Sequence, residues 1–361
     1  MLTQCIYHVL LLLVDVLLLR SIWRRDYTSL LHYAVLLGRG TFAAIFLAIL
    51  LSGWLDGRIS ASFVLYGFAI HGSLFLFASA FLMYRQKKSD GKPRRCLPSL
   101  VLAFGFIYCG VAIDALLIEP WGLVVRETII TTPKITKPIT IVFCADMQAE
   151  HIGRYERWTL QKIKEQNADL ILFGGDYIQG ETVEQEQQIL KDWNQLFREV
   201  DLQVPLGIYA VQGNVGPTKG MFDGTVIIRN ESTVTEQIGE LRITFLSLDD
   251  SGIKRSVPDE ERENKFRIIV GHYPMYAMAE QDADLLLAGH THGGQVQIPF
   301  LGPLVTASGK DLPRRWATGI IPMSNGSTLI VSHGSGHERG RTPRVRFWCR
   351  PDIWVIRLVP E

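Results

Sequence analysis

Gly289-His290-Thr291-His292-Gly293-Gly294-Gln295 follows directly on the apolar run Leu285-Leu286-Leu287-Ala288. The run reads as a short buried strand that stops in a glycine-rich loop carrying two histidines. Histidines spaced i, i+2 in a strand–loop element point the same way, and the glycines leave room around them. By itself the stretch reads as a metal site at a strand end.

The same event recurs upstream. Ile139–Cys144 reads as a strand that ends at Asp146, with Gln148 close behind. Leu170–Phe173 ends in Gly174-Gly175-Asp176, Gly207–Val211 in Gly213-Asn214, and Arg267–Val270 in Gly271-His272. Taken singly, an Asp after a strand or a Gly-Asn pair is ordinarily a turn or cap residue. Five such endings in one domain point instead to a shared edge, because strand ends on one side of a sheet converge. The set is Asp146, Gln148, Asp176, Asn214, His272, His290 and His292. Oxygen and nitrogen donors without thiolate suit Mn, Fe, Zn or Mg rather than a structural cysteine–zinc site. Seven donors are too many for one tetrahedral ion. They fit two ions about 4 Å apart that share a carboxylate and clamp a phosphoryl group.

The surrounding pattern gives the fold. Trp158–Gln166 and Val183–Val200 read as helices, and Leu241–Ser247, Leu329–His333 and Ile353–Val359 as further strands. Early β/α alternation followed by strand-rich sequence predicts an α/β domain, a two-sheet β-sandwich flanked by helices, over residues 139–361. Strand-like Leu123–Thr131 and a Pro/Lys/Thr stretch form the expected linker, 120–138.

Residues 1–119 are of another kind. Long apolar runs predict a four-helix transmembrane bundle with spans near 3–23, 30–51, 60–84 and 97–118. The first run lacks the basic start and cleavage site of a signal peptide. This part carries 11 Lys/Arg against 6 Asp/Glu, and the rest carries 26 against 30, so the overall charge of +1 conceals a division. Near-neutrality excludes a polybasic nucleic-acid binder. Five scattered cysteines (Cys5, Cys96, Cys109, Cys144, Cys349) give neither a disulfide framework nor a zinc site. The first loop (Arg20, Arg24, Arg25) and the third (Arg85, Lys87, Lys88, Lys92, Arg94, Arg95) are basic. The positive-inside rule puts both in the cytoplasm, and the domain after the fourth span outside the cytoplasmic membrane. Asp15, Arg39, His71 and Asp114 lie within spans, and matched depths predict a structural Asp15–Arg39 pair.

The order D-x-Q, G-D, G-N, G-H, G-H-x-H resembles that of the calcineurin-like metallophosphoesterases, in particular the bacterial membrane-linked branch of YkuE/YaeI type. The run GHTHGGQ with Ile298-Pro299, and the closing Arg339-Gly340, Arg344-Val345-Arg346 and Arg350-Pro351-Asp352-Ile353, carry that likeness. It covers about residues 139–360 and not the spans. It implies one ion on Asp146, Gln148, Asp176 and His292, and a second on Asp176, Asn214, His272 and His290, with Asp176 bridging. It further implies two divalent metals, manganese favoured, and a metal-bridging hydroxide as nucleophile, with Asp176, Asn214 and His290 at the reacting centre. Asn214, His337 and Arg339 are the expected phosphate-binding residues, arginine forks being suited to phosphate.

Two positions depart from the family. Gln148 stands where most members have His, and its amide oxygen can still coordinate. Val215 stands where many members carry a proton-donating His. Loss of a general acid matters most for basic leaving groups, so the site is expected to favour a diphosphate or another good leaving group, unless His151, His333 or His337 donates. The expected function is a membrane-anchored hydrolase of a phosphodiester or diphosphate, with the lipid bilayer as partner and a lipid-linked or envelope substrate. The alternatives are a nucleotide-diphospho-lipid pyrophosphatase of UDP-diacylglucosamine type and a non-catalytic membrane sensor.

Overall fold

The computed structural model describes residues 2–24, 30–52, 67–86, 95–224, 226–229, 232–257, 264–303, 312–336 and 344–361. These fall into two compact units that meet in sequence between Leu116 and Leu117.

The first unit holds helices α1 (Leu2–Arg24), α2 (Leu30–Ser52), α3 (Ser73–Arg85) and α4 (Cys96–Ile113). Among the described residues, four helical stretches are long and apolar enough to cross a membrane: Cys5–Arg24, Leu31–Leu51, Phe68–Arg85 and Cys96–Trp121. Polar side chains tie the helices to one another. Tyr33 and Ser79 hydroxyls lie 2.5 Å apart, and Tyr108 donates to the Phe68 carbonyl at 2.9 Å.

The expected Asp15–Arg39 pair is corrected. Asp15 instead accepts from His71 Nδ1 at 2.7 Å, and His71 Nε2 lies 3.1 Å from His8 Nδ1. His71 sits in a π-helical turn, Phe68–Gly72, just before α3. Such a turn inserts an extra residue and re-aims its side chains. Depth along a helix axis does not report that rotation.

The second unit contains two six-stranded sheets. The first has β1 (Val124–Thr132), β2 (Ile139–Cys144), β3 (Leu170–Phe173), β4 (Ile208–Val211), β5 (Ile227–Arg229) and β14 (Asp352–Pro360), in the order β1-β14-β2-β3-β4-β5. β2 through β5 run parallel, whereas β14 runs antiparallel to β2 and parallel to β1. The strand-like stretch after the last apolar helix is thus the edge strand of a sheet. The second sheet has β6 (Val234–Ile238), β7 (Leu241–Phe245), β8 (Phe266–Val270), β9 (Leu285–Ala288), β12 (Gly319–Pro322) and β13 (Thr328–Val331), in the order β12-β13-β9-β8-β7-β6. Between β9 and β12 a small hairpin pairs β10 (Gln297–Ile298) with β11 (Gly302–Pro303).

Strand alternation assigns each side chain to a layer. Ile141, Phe143, Leu170, Leu172 and Trp354 meet Ile243, Phe245, Ile268 and Leu287 between the sheets. Val142, Cys144, Ile171 and Phe173 point the other way, toward helices α5 (Arg154–Lys164) and α6 (Val183–Val200). Strands buried on both faces explain why β3 and β9 are unbroken apolar runs and why β2 is interrupted only at Thr140. The outer face of the second sheet is covered by Tyr276 and Trp316 from short 3-10 turns, not by long helices.

Both helices have local start signals. Thr182 Oγ1 accepts from Gln185 N, and Glu156 reaches back to the Gly153 N–H. The second bond starts α5 four residues before the sequence pattern suggested. The apolar face of α6 packs Trp193, fully buried, against Phe197 and Phe222. Trp193→Ala is expected to lower stability by about 3–5 kcal/mol through cavity formation, read as a lower Tm by intrinsic fluorescence, with Trp193→Phe much milder.

Candidate metal centre

The site is built where strands stop. Parallel β2, β3 and β4 deliver Asp146, Asp176 and Asn214 to one edge of the first sheet. Parallel β8 and β9 deliver His272, His290 and His292 from the second. All seven residues singled out in the sequence come together there.

Asp176 is the common member. Its Oδ2 accepts from Gln148 Nε2 at 3.0 Å and lies 3.6 Å from His272 Nε2. Its Oδ1 accepts from the Val215 N–H at 2.8 Å. Asp146, Asp176 and His272 are buried, with their donor atoms within 4.8 Å of one another. Asp146 Oδ1 lies 3.9 Å from His292 Nε2 and 4.0 Å from His272 Nδ1. The same carboxylate accepts from the His290 N–H at 2.9 and 3.0 Å. Asn214 Oδ1 lies 2.7 Å from His272 Nε2 and 2.8 Å from His290 Nδ1.

The lone pairs converge in a way that calls for a cation. His272 Nδ1 is 2.8 Å from the Gly174 carbonyl, which can only accept, so that nitrogen carries the hydrogen. In the neutral ring Nε2 then presents its lone pair, and it does so toward an amide oxygen. Burial, then the neighbouring His272, lowers the His290 pKa to about 3, which keeps that ring neutral and able to coordinate. Gln148 Oε1 is buried without a hydrogen-bond partner, an orphan acceptor of the kind a metal ion satisfies. The residues therefore fit a pair of divalent cations, with Asp176 between the two groups of donors.

The backbone is shaped for this approach. Asp146, Gln148, Asp176, His290 and His292 all have positive φ, between 40° and 68°. Non-glycine residues seldom adopt that region, and such strain clusters at functional sites. Close glycines make it feasible. A Cβ on Gly213 would lie 2.0 Å from Asp176 Oδ1, and one on Gly336 would lie 1.7 Å from the Met147 carbonyl oxygen.

Several neighbours were not legible as site residues. The Tyr273 ring packs edge-on to His290 with centroids 4.3 Å apart, and burial with Asp176 and Asp249 raises its pKa. Arg346 is fully buried. Its Nη1 donates to the His333 and Cys349 carbonyls at 2.8 and 3.1 Å, and its Nη2 donates to Gly336 at 2.6 Å. It thus clamps the loop behind His292. In sequence it is one arginine of several in the closing run, and only its burial distinguishes it. His333 is also buried. Its Nδ1 lies 2.9 Å from the Arg350 carbonyl and its Nε2 contacts Thr318 Oγ1, so it is a packing residue and not a free acid. His151 is exposed. His337 and Arg339, the expected phosphate-binding pair, lie outside the described residues.

Comparison with known proteins agrees with this geometry. Residues 139–294 match the family described as calcineurin-like phosphoesterase. The chain is 31% identical over 215 residues to the uncharacterized metallophosphoesterase YkuE of Bacillus subtilis, covering 54% of this chain and 70% of that one. It is 27% identical over 267 residues to phosphodiesterase YaeI of Escherichia coli, covering 67% and 90%. An uncharacterized metallophosphoesterase of Helicobacter pylori is 25% identical over 262 residues, which span 66% of this chain and 64% of that protein.

Replacing the buried clamp should be costly. Arg346→Met leaves several buried carbonyls without donors, and the expected loss of roughly 2–4 kcal/mol would appear as a Tm lowered by several degrees. Arg346→Lys, a point charge without the fork, should recover only part of it.

Proposed function

The chain belongs to the calcineurin-like phosphoesterase family and is a metal-dependent phosphoesterase, and on that premise we propose that it is a membrane-anchored, dinuclear hydrolase of phosphodiester or diphosphate bonds. The observation that carries this is the lone pair of His272 Nε2, which faces Asn214 Oδ1 at 2.7 Å and Asp176 Oδ2 at 3.6 Å while Nδ1 holds the ring's one proton.

Asp146, Gln148, Asp176 and His292 would hold one divalent ion, and Asp176, Asn214, His272 and His290 the other. Manganese, iron, zinc and magnesium all suit this donor set. When bound, the ions would acidify the attacking water and neutralise charge on the phosphoryl oxygens. The Gln148 amide N–H and the Val215 N–H each hold one oxygen of Asp176, fixing the carboxylate that both groups of donors share. Buried Asp146, His272 and His292 form the floor, whereas Asn214 is exposed and His290 half-buried. Those two therefore face an arriving substrate.

Val215 has no proton to give, and His333 is committed to packing. A leaving group of low basicity, such as a phosphate, a nucleotide or an aryl alcohol, suits such a site. The four apolar helices support anchoring in a bilayer, and the distribution of Lys and Arg in the short loops supports a domain outside the cytoplasm. An anchored domain beside a membrane favours a lipid-linked substrate.

Two experiments on the full chain in detergent test these roles. Asp176→Asn is expected to reduce bound divalent metal, and to lower hydrolysis of bis(p-nitrophenyl) phosphate by roughly 10²-fold or more, with the Tm of the apoprotein little changed. Unchanged metal content and rate would overturn the assignment. At equal metal loading, diphosphates and aryl diesters should be cleaved about 10²–10⁴-fold faster than alkyl phosphates, and Val215→His should raise the alkyl rate selectively. Equal rates across the three substrates would refute the leaving-group preference.

A further inference from the structure

The hairpin of β10 and β11 springs from the metal loop itself. Gln297 lies five residues after His292, and its side chain donates to the Gly293 carbonyl at 3.1 Å. Its tip is Pro299-Phe300-Leu301. Phe300 is fully exposed and Leu301 is 73% exposed. The turn is closed by Leu301 N donating to the Ile298 carbonyl at 3.0 Å, and Phe300 is held there at φ 67°. A bulky aromatic residue in the left-handed region, presented wholly to solvent, is unfavourable on both counts. Beside the hairpin, β11 packs against the turn Arg314–Trp316, where Arg314 and Arg315 are exposed. No acidic residue occurs from Gln295 to Pro303 or from Leu312 to Ala317.

We propose that this hairpin is a lipid-docking element, with Phe300 and Leu301 seated in the interface of an anionic bilayer and Arg314 and Arg315 on its phosphates. Continuity with the end of the last apolar helix favours a bilayer over a protein partner. The fourth candidate span runs to Trp121. Within it, buried Glu119 accepts from the Trp348 N–H at 2.9 Å and from the Cys349 N–H. The adjoining Phe347 pairs with the root of the hairpin, through Gln297 N to Phe347 O and Phe347 N to Gln295 O, both 2.9 Å. A short path of hydrogen bonds thus connects the point where the chain leaves apolar sequence to the hairpin. Around that point Trp348 and Trp121 are exposed, and the Arg344 guanidinium lies 5.1 Å over the Trp121 ring. Exposed tryptophan with arginine marks a membrane–water boundary. The tip stands on the order of 10 Å from its root at strand rise per residue. Apolar insertion with flanking cations is how interfacial elements bind anionic lipid.

The catalytic consequence rests on the hydrolase assignment above: docking would hold the metal loop level with a lipid phosphate. The test uses the full chain in nanodiscs, with Cys5, Cys96 and Cys109 replaced by Ser. A spin label at Phe300→Cys is compared with labels at exposed Gln203→Cys and at Leu13→Cys in the first apolar helix. In discs containing phosphatidylglycerol the label at 300 should be far less accessible to a nickel chelate than the label at 203, and more accessible to oxygen. In phosphatidylcholine alone that protection should weaken. Accessibility equal to that at 203 in both discs overturns the proposal. So does protection independent of lipid with a short label–label distance, which would mean that a second copy covers the tip. Phe300→Asp with Leu301→Asp should lower hydrolysis of a phospholipid diester in discs by about tenfold, leaving bis(p-nitrophenyl) phosphate hydrolysis unchanged. A protected label in a protein that cleaves the aryl diester but no lipid diester supports docking and refutes only the lipid substrate.

Discussion

The carboxylate of Asp176 is the constraint from which the rest of the site follows. It must present one oxygen to Gln148 and His272 while Val215 holds the other, with the side chain buried. Asp176 and four residues around it adopt left-handed backbone to allow it, each at a cost of order 1–3 kcal/mol. The two packed sheets absorb that cost. Their interior is continuous from Phe143 and Leu172 to Phe245 and Leu287, and strands so fixed leave their ends little freedom. The strain is local, and the packing that maintains it extends through the whole second unit.

What could be read from the sequence divides along the same line. β2, β3, β9 and α6 have the boundaries that their apolar patterns indicated, since full burial writes an unbroken run and amphipathic helices write a 3.6-residue period. The seven residues at the strand ends were legible because the strands were. β5, β6 and β12 were not, for they are short, half-exposed edge strands with weak patterns. The partner of Asp15 was missed because a π turn rotates His71. Arg346 was missed because charge alone does not distinguish a solvated side chain from one buried among carbonyl groups.

Position 148 shows how one substitution can retain a site while changing its character. The glutamine amide supplies both a donor to Asp176 and a buried free oxygen. An imidazole would also offer one donor and one lone pair, but that lone pair would sit on nitrogen. A harder oxygen donor tilts the site toward harder cations. Val215 keeps its backbone bond to Asp176 while its side chain withdraws from proton transfer. Both residues keep a hydrogen bond to Asp176.

The order of synthesis adds a consequence. β14 lies between β1 and β2, yet it comes later in the chain than every other described strand. Its first residue, Asp352, binds Arg126 across 226 positions and also anchors Ser332 and the His333 N–H. Until that strand emerges from the ribosome, the first sheet has a vacant slot and the loops beside the carboxylates lack their support. A chain terminated just before Asp352 would therefore retain its apolar helices and all seven prospective ligands without a working centre, so that such truncated products stay inert.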